Sequence, residues 1–322
     1  MGILVDLKEI HADVWNNTIA PAVTSEMERI RDAGCDVPAH LLHFTSAQAL
    51  VQILQTRKLR LSRARSSNDP GELEYGLGLA RIEAKTVLDP TMQWDDSLLA
   101  ELLAVLAGRV GDGSSRPLPD PHICCFSQPE CEMGVEHWSL YGRGGAGFAL
   151  VFEGRSLAAI KAATLVCVSY DSNAQKARFS SLMKAARETC AAARNRTAAL
   201  GAVDMVASLH GAAARAFGAA TALHAATMKR DMFKFEKEWR LMVAWIPIKT
   251  DRDPPLPYCF EAVGPVLRSF YELPFDPKSL KAIVVGPQHA DVNKPVVEAL
   301  LNRYDYEKVE VRVGSVSLRT FQ

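Results

Sequence analysis

This 322-residue chain has no membrane-spanning apolar run, no excess of either charge and no paired cysteine spacing. Its richest apolar stretch, Leu98–Ala107, is too short to cross a bilayer and carries Glu101. Lysine plus arginine and aspartate plus glutamate both number 37, so no strong overall field argues for non-specific nucleic-acid binding or for a basic partner. A local basic groove stays open. The seven cysteines (Cys35, Cys124, Cys125, Cys131, Cys167, Cys190 and Cys259) are odd in number and share no repeated spacing, which reads as thiols in a reducing compartment. Met1–Asp6 has neither the basic segment nor the apolar core of an export signal, and Asp6 stands where a myristoylation motif wants serine or threonine. The expectation is a cytoplasmic globular protein with no membrane partner, its apolar content ample for a substantial core.

Two suggestive motifs are incomplete. Gly142, Gly144 and Gly147 spell GxGxxG, but a predicted helix precedes them and a strand follows, the reverse of a dinucleotide-binding turn. They read instead as a turn that needs unusual backbone angles or close approach. His122, Cys124, Cys125, Cys131 and His137 lie close in sequence without any of the usual zinc spacings, so no metal is expected. A Walker lysine motif and internal repeats are both absent.

Periodicity gives an α+β order. Residues 1–36 read as a helical lead-in, broken near Pro21, and residues 37–322 as one α+β domain. Within it, strands are expected at Leu41–Thr45, Lys58–Ser62, His122–Ser127, Gly147–Phe152, Thr164–Tyr170, Lys237–Trp245, Tyr258–Ala262, Lys281–Val285 and Lys308–Val313. Helices are expected at Ala47–Thr56, Glu74–Val87, Ser97–Val110 and Lys294–Arg303, and an alanine-rich helical insertion at about 172–230. Strands and helices do not alternate regularly, which favours a mixed or antiparallel sheet over a doubly wound parallel one.

Three distant segments carry chemistry. His43 and Thr45 alternate onto one strand face, where imidazole and hydroxyl can hold a ribose hydroxyl; the plainer alternative is a strand-end cap and a helix start. Trp138 and Tyr141 share a face of a short predicted helix and can sandwich a flat heterocycle, or simply anchor that helix to the core. Glu236, Glu238 and Arg240 are expected on one face of a strand whose other face, Trp239, Leu241 and Val243, is buried. Paired carboxylates suit a cation stabiliser and a base, whereas an exposed Glu238–Arg240 ladder would be worth only about 0–1 kcal/mol. Gly286-Pro287-Gln288-His289 ends a strong apolar strand before a helix N-terminus, an unspecific anion-binding arrangement in which His289 reads equally as a solvated loop residue.

The chain resembles an uncharacterised bacterial group, domain-of-unknown-function family 2971, from about residue 40 to 290. The motifs that carry the likeness are His43-Phe44-Thr45-Ser46, Asn68-Asp69-Pro70-Gly71-Glu72, Cys125-Phe126-Ser127, Trp138-Ser139-Leu140-Tyr141-Gly142 and Glu238-Trp239-Arg240. Their order is also similar to the three-part signature of ADP-ribosyltransferases: a first-strand histidine, an aromatic-serine strand leading to a stacking tyrosine, and a late glutamate. No unmistakable Ser-Thr-Ser strand occurs, so the nearest branch stays open.

That likeness implies an ADP-ribosyltransferase-like β core and NAD as co-substrate. The reaction would be transfer of ADP-ribose to a protein or nucleic-acid acceptor, in the manner of a toxin or defence effector, or NAD hydrolysis without an acceptor. Glu238 would stabilise positive charge on the ribose and Glu236 would deprotonate the nucleophile. His43, Thr45 and Ser46 would hold the adenosine ribose, Tyr141 or Trp138 would stack on nicotinamide, and Arg60, Arg63 or Arg65 would meet the pyrophosphate. Asn68, Phe126, Ser127 and Arg240 would complete the cofactor cleft. A nucleotide-binding module without turnover and an interaction scaffold built on the alanine-rich helices are the alternatives.

Overall fold

The computed structural model describes residues 7–31, 35–66, 71–88, 91, 93–107, 121–202, 205–243, 256–263 and 265–315. Asn68, loop residues 111–120 and the expected strand end at Ala244 and Trp245 lie outside them.

The lead-in forms α1 (Leu7–Val14) and α2 (Ala20–Arg31), joined by a π-turn over Trp15–Ile19. The expected break at Pro21 does not occur. Widening the turn so that the Ala20 N–H reaches the Trp15 carbonyl gives the proline ring room without ending the helix.

Next come β1 (His40–Thr45), α3 (Ala47–Thr56), β2 (Lys58–Arg63), α4 (Gly71–Val87) and α5 (Gln93–Leu106). They are followed by β3 (His122–Ser127), α6 (Val135–Leu140), β4 (Phe148–Glu153), α7 (Gly154–Ala158) and β5 (Thr164–Cys167). The alanine-rich stretch yields α8 (Ser172–Ala199), capped by the Asp171 carboxylate on the Ala174 N–H, and α9 (Val206–Ala225). The chain closes with β6 (Glu238–Val243), β7 (Tyr258–Val263), β8 (Val266–Pro274), β9 (Leu280–Val285), α10 (Ala290–Arg303) and β10 (Glu310–Val313).

All ten strands join one mixed sheet, antiparallel throughout except for the β9–β10 pair. β3 is its keel. One edge of β3 pairs along its whole length with β6, which carries β5 on its far side. The other edge is shared: Ser127 meets β1 and so the β1-β4-β9-β10 half-sheet, whereas His122 and Ile123 meet β2 and so the β2-β8-β7 half-sheet. Between these attachments the sheet is split beside Cys124–Phe126.

Strand alternation sends Leu41, Cys124, Phe126, Trp239 and Leu241 to one face, where α3, α7 and α10 cover them. Ile123, Val166 and Met242 face the opposite way, into a helical core from α1, α2, α4, α5, α8 and α9. A smaller cluster around Leu42, Trp138 and Val284 continues that face beneath the β1 half-sheet. The 172–230 stretch is thus part of one helical layer with residues 71–106. Small side chains make it dense: a Cβ added at Gly76 of α4 would lie 2.7 Å from the Ala225 Cα of α9.

Candidate functional site

On the helical face, where the two apolar clusters meet, five charged side chains converge. They are Glu72 from the first turn of α4, Lys229 from the turn after α9, Glu236, and Glu238 with Arg240 from β6, each no more than 8 % exposed. Arg240 grips Glu238 through two bonds, Nε to Oε1 at 2.9 Å and Nη2 to Oε2 at 3.0 Å. It also donates to the Ala226 carbonyl at 2.5 Å and to Glu72. Lys229 Nζ bonds Glu236, lies 2.7 Å from Glu238 Oε2 and 3.4 Å from Glu72 Oε2. Three carboxylates therefore share two cations in a water-poor setting, where satisfied pairing is essential.

Neighbouring segments hold this cluster in register. Glu238 donates its N–H to the Tyr170 hydroxyl at 3.0 Å, and its carbonyl accepts the Val168 N–H at 3.0 Å. Ser169 accepts the Lys229 N–H, while Gln175 Nε2 bonds both the Ser169 and Lys229 carbonyls. The Tyr141 hydroxyl donates to Glu236 Oε1 at 2.5 Å. His137 Nε2 and the Cys131 thiol both reach the Glu236 carbonyl, bracing its turn.

The electrostatics follow from burial and pairing. Burial pushes the Glu238 carboxyl up, but Arg240 and Lys229 outweigh it and hold the group well below the usual carboxylate range. For Glu72 burial wins over the same two cations and the carboxyl is raised. Burial raises the Tyr141 phenol, reinforced by Glu236, and raises the Cys125 thiol, reinforced by Glu238.

Glu236 is not in the strand. It ends a 3-10 turn over Asp231–Glu236, and Lys237 follows at φ 43° in the left-handed region. That kink, rather than strand alternation, brings Glu236 and Glu238 to the same Lys229. The Glu238–Arg240 pair is buried, not the exposed ladder of the plainer alternative.

Among the remaining anticipated residues, Tyr141 and Ser127 border the cluster; Ser127 is the ladder partner of Glu238. Trp138 is wholly buried, donates Nε1–H to the Glu132 carbonyl at 2.8 Å and packs edge-on against Phe44 at 5.2 Å. It anchors α6. Phe126 points to the opposite sheet face with Phe152. His43 sits on that same far face, 3.7 Å from the Cys124 sulfur, and fills the split: its Nδ1 lies 2.9 Å from the Cys125 carbonyl. Donation to that carbonyl requires the Nδ1–H tautomer, and burial favours neutral imidazole. Thr45 is buried beside Phe148, and Ser46 caps α3 through the Ala49 N–H.

The arginines disperse. Arg60 pairs with Glu261 at 2.6 Å and stacks on Phe270, Arg63 ends β2 with its side chain exposed, and Arg65 pairs with Glu74 at 2.9 Å. Only Arg240 enters the charge cluster. Cys125 links the two sides of β3: it is the ladder partner of Arg240 on the cluster's face, and its carbonyl is met by His43.

Sequence reasoning left Glu72, Lys229, Tyr170 and Cys125 without roles. Glu72 carried a signal, an acid opening a helix after a turn run, whereas Lys229, beside Arg230 and past the end of α9, carried none. Among the described residues no group of three or more histidine, cysteine or acidic side chains is placed to hold a metal ion. Among them, too, no helix is long and apolar enough to cross a membrane.

The glycine loop behaves as a tight turn. Gly144 and Gly145 take φ of 64° and 91°, and Gly286 donates to the Gly147 carbonyl at 2.9 Å so closely that a Cβ there would lie 2.2 Å from the Gly145 carbonyl oxygen. His289 is exposed at the start of α10.

No curated protein and no solved structure matches the chain significantly. A family model described as "Protein of unknown function (DUF2971)" matches residues 137–241, a stretch that holds Tyr141, Lys229, Glu236, Glu238 and Arg240 but neither His43 nor Glu72, so that the chain is similar to this family across most of the charge cluster.

Proposed function

We propose that the chain is an NAD-dependent ADP-ribosyltransferase centred on Glu238 and Glu236. The observation that carries this reading is the convergence of Ser127, Tyr141, Glu236 and Glu238 from three distant segments. Breaking the nicotinamide–ribose bond places positive charge on the ribose, and an ionised carboxylate aimed at that carbon lowers the barrier. Arg240 and Lys229 keep Glu238 ionised and oriented, while Glu236, hydrogen-bonded to Tyr141, serves as base toward an acceptor hydroxyl, amine or water. His43 belongs to this site only if the nucleotide spans the split at Cys125.

A second reading is favoured by the mutual neutralisation and burial of all five charges: a nucleotide-binding module, or a purely structural ion cluster, without turnover. Nicotinamide release from NAD, measured with lysate as acceptor source, separates them. Transfer chemistry predicts release by the wild type that falls about a hundredfold or more in Glu238→Gln. NAD binding without release supports the binding module, and neither binding nor release leaves the structural cluster.

A further inference from the structure

We propose that two copies of this chain join through the outer edge of β7, extending the sheet across a twofold axis at Phe260. β7 ends the strand order, and among the described residues no strand pairs with its outer edge. On its inner side it pairs with β8 in unbroken antiparallel register, from Tyr258↔Tyr271 to Val263↔Val266. The Pro257 carbonyl accepts the Glu272 N–H, so the odd-numbered residues of this strand bond inward. Tyr258, Phe260 and Ala262 therefore turn their N–H and C=O groups outward.

A strand edge is ordinarily guarded by a charge, a proline or a bulge. β10, at the opposite end of the sheet, is four residues long and carries Glu310 and Arg312. β7 has neither proline nor bulge, and its one charge, Glu261, is drawn inward to Arg60 of β2, 2.6 Å away. The side chains beside the edge are apolar instead. Phe260 is 69 % and Leu267 79 % exposed, on the face where the Tyr258 ring lies 4.8 Å from that of the buried Tyr271.

The register follows from the strand read against itself. A twofold pairing must match outward-facing residues with one another, and centring it on Phe260 matches all three: Phe260 with Phe260, and Tyr258 with Ala262 of the second copy. Glu261 then stands opposite Cys259. Moving the axis to Glu261 would set two carboxylates face to face, and moving it to Cys259 would put Ala262 opposite Leu256, outside the strand. In the centred pairing Leu267 and Ala262 of one copy continue into Tyr258 and Tyr271 of the other, which makes the apolar row continuous. A register that joins every outward group without facing like charges selects a second copy as the occupant.

Sedimentation velocity of the full chain across micromolar to submillimolar concentrations tests this. The wild type is expected to approach twice the 35.2 kDa of the chain. Phe260→Lys, which sets two ammonium groups at the axis, should raise the dissociation constant about a hundredfold and leave the far-UV circular dichroism unchanged. Ala262→Pro, which removes an outward N–H and no inward bond, should weaken the dimer independently of that side chain. Phe260→Cys should form a 260–260 link under oxidised glutathione, because a hydrogen-bonded antiparallel pair stands about 5.5 Å apart at Cα. A monomeric wild type would overturn the proposal, as would a dimer that persists in both Phe260→Lys and Ala262→Pro, or a Phe260→Cys link that peptide mapping places elsewhere.

Discussion

Arg240 is the residue on which the charge cluster turns. It is almost wholly buried and bonds Glu238, Glu72 and the Ala226 carbonyl, so Arg240→Ala leaves the three carboxylates Glu72, Glu236 and Glu238 in a water-poor site with Lys229 as their one remaining cation in the cluster. We expect a loss of about 3–5 kcal/mol, read as the shift in a urea-unfolding midpoint. The Arg240→Met, Glu238→Gln double variant should lose less than the two single variants summed, because the coupling is removed from both sides. Simple additivity would mean that the two groups do not stabilise each other. The kink at Lys237, invisible to strand spacing, brings in Glu236; the shared face of Glu238 and Arg240 was legible from their spacing. Their burial was not, because a charged strand face reads as solvated until its cover is known, and that cover comes from α4 and the turn after α9.

Close packing of elements sets the position of Glu72. It lies one helical turn before Gly76, and Gly76 is where α4 touches α9 most tightly. Gly76→Leu should push the helices apart, cost about 1–3 kcal/mol and loosen the Glu72 contact to Arg240. Differential scanning fluorimetry reads the stability, and an unchanged melting temperature would argue that the interface can repack. Most strands were legible from alternation within a few residues. β8 was not: its buried Phe270 and Tyr271 are adjacent, and Val266–Arg268 are exposed, which breaks the period-two pattern. Nor does any local pattern reveal that β1 and β2 share one edge of β3, since both pairings join segments distant in sequence.

For the molecule as a whole, buried histidine sets the acid limit. His224 in α9 bonds the Glu26 carbonyl through Nε2, with Arg178 and Arg29 nearby; burial, then Arg178, brings its pKa down to about 4. The unfolded chain binds this proton near pH 6.5, so the contribution is complete above that value and is lost as pH falls toward about 4. The full contribution is about 3 kcal/mol on this account. Glu238, held low, adds a second loss below about pH 4.3, whereas Glu26 and Glu72, raised by burial, act with the opposite sign. Urea midpoints should fall between pH 6.5 and 4, and His224→Gln should flatten that slope; a slope unchanged by the substitution would place the acid limit elsewhere. The α+β class and the helical lead-in were legible at this scale. The split sheet and the shared helical layer were not, because they arise from which faces meet rather than from any one segment.

The pairing of β3 with β6 has a further bearing on biosynthesis. During synthesis the chain emerges from its N-terminus, so β1, β2 and β3 leave the ribosome long before Lys229, Glu236, Glu238 and Arg240 exist. Until β6 arrives, one whole edge of the keel strand has no partner and Glu72 has no cation to meet. The charge cluster therefore records that translation has passed β6: a truncated or stalled product carries an open sheet edge, vulnerable to aggregation or proteolysis, and lacks the four late-emerging charged groups of the site.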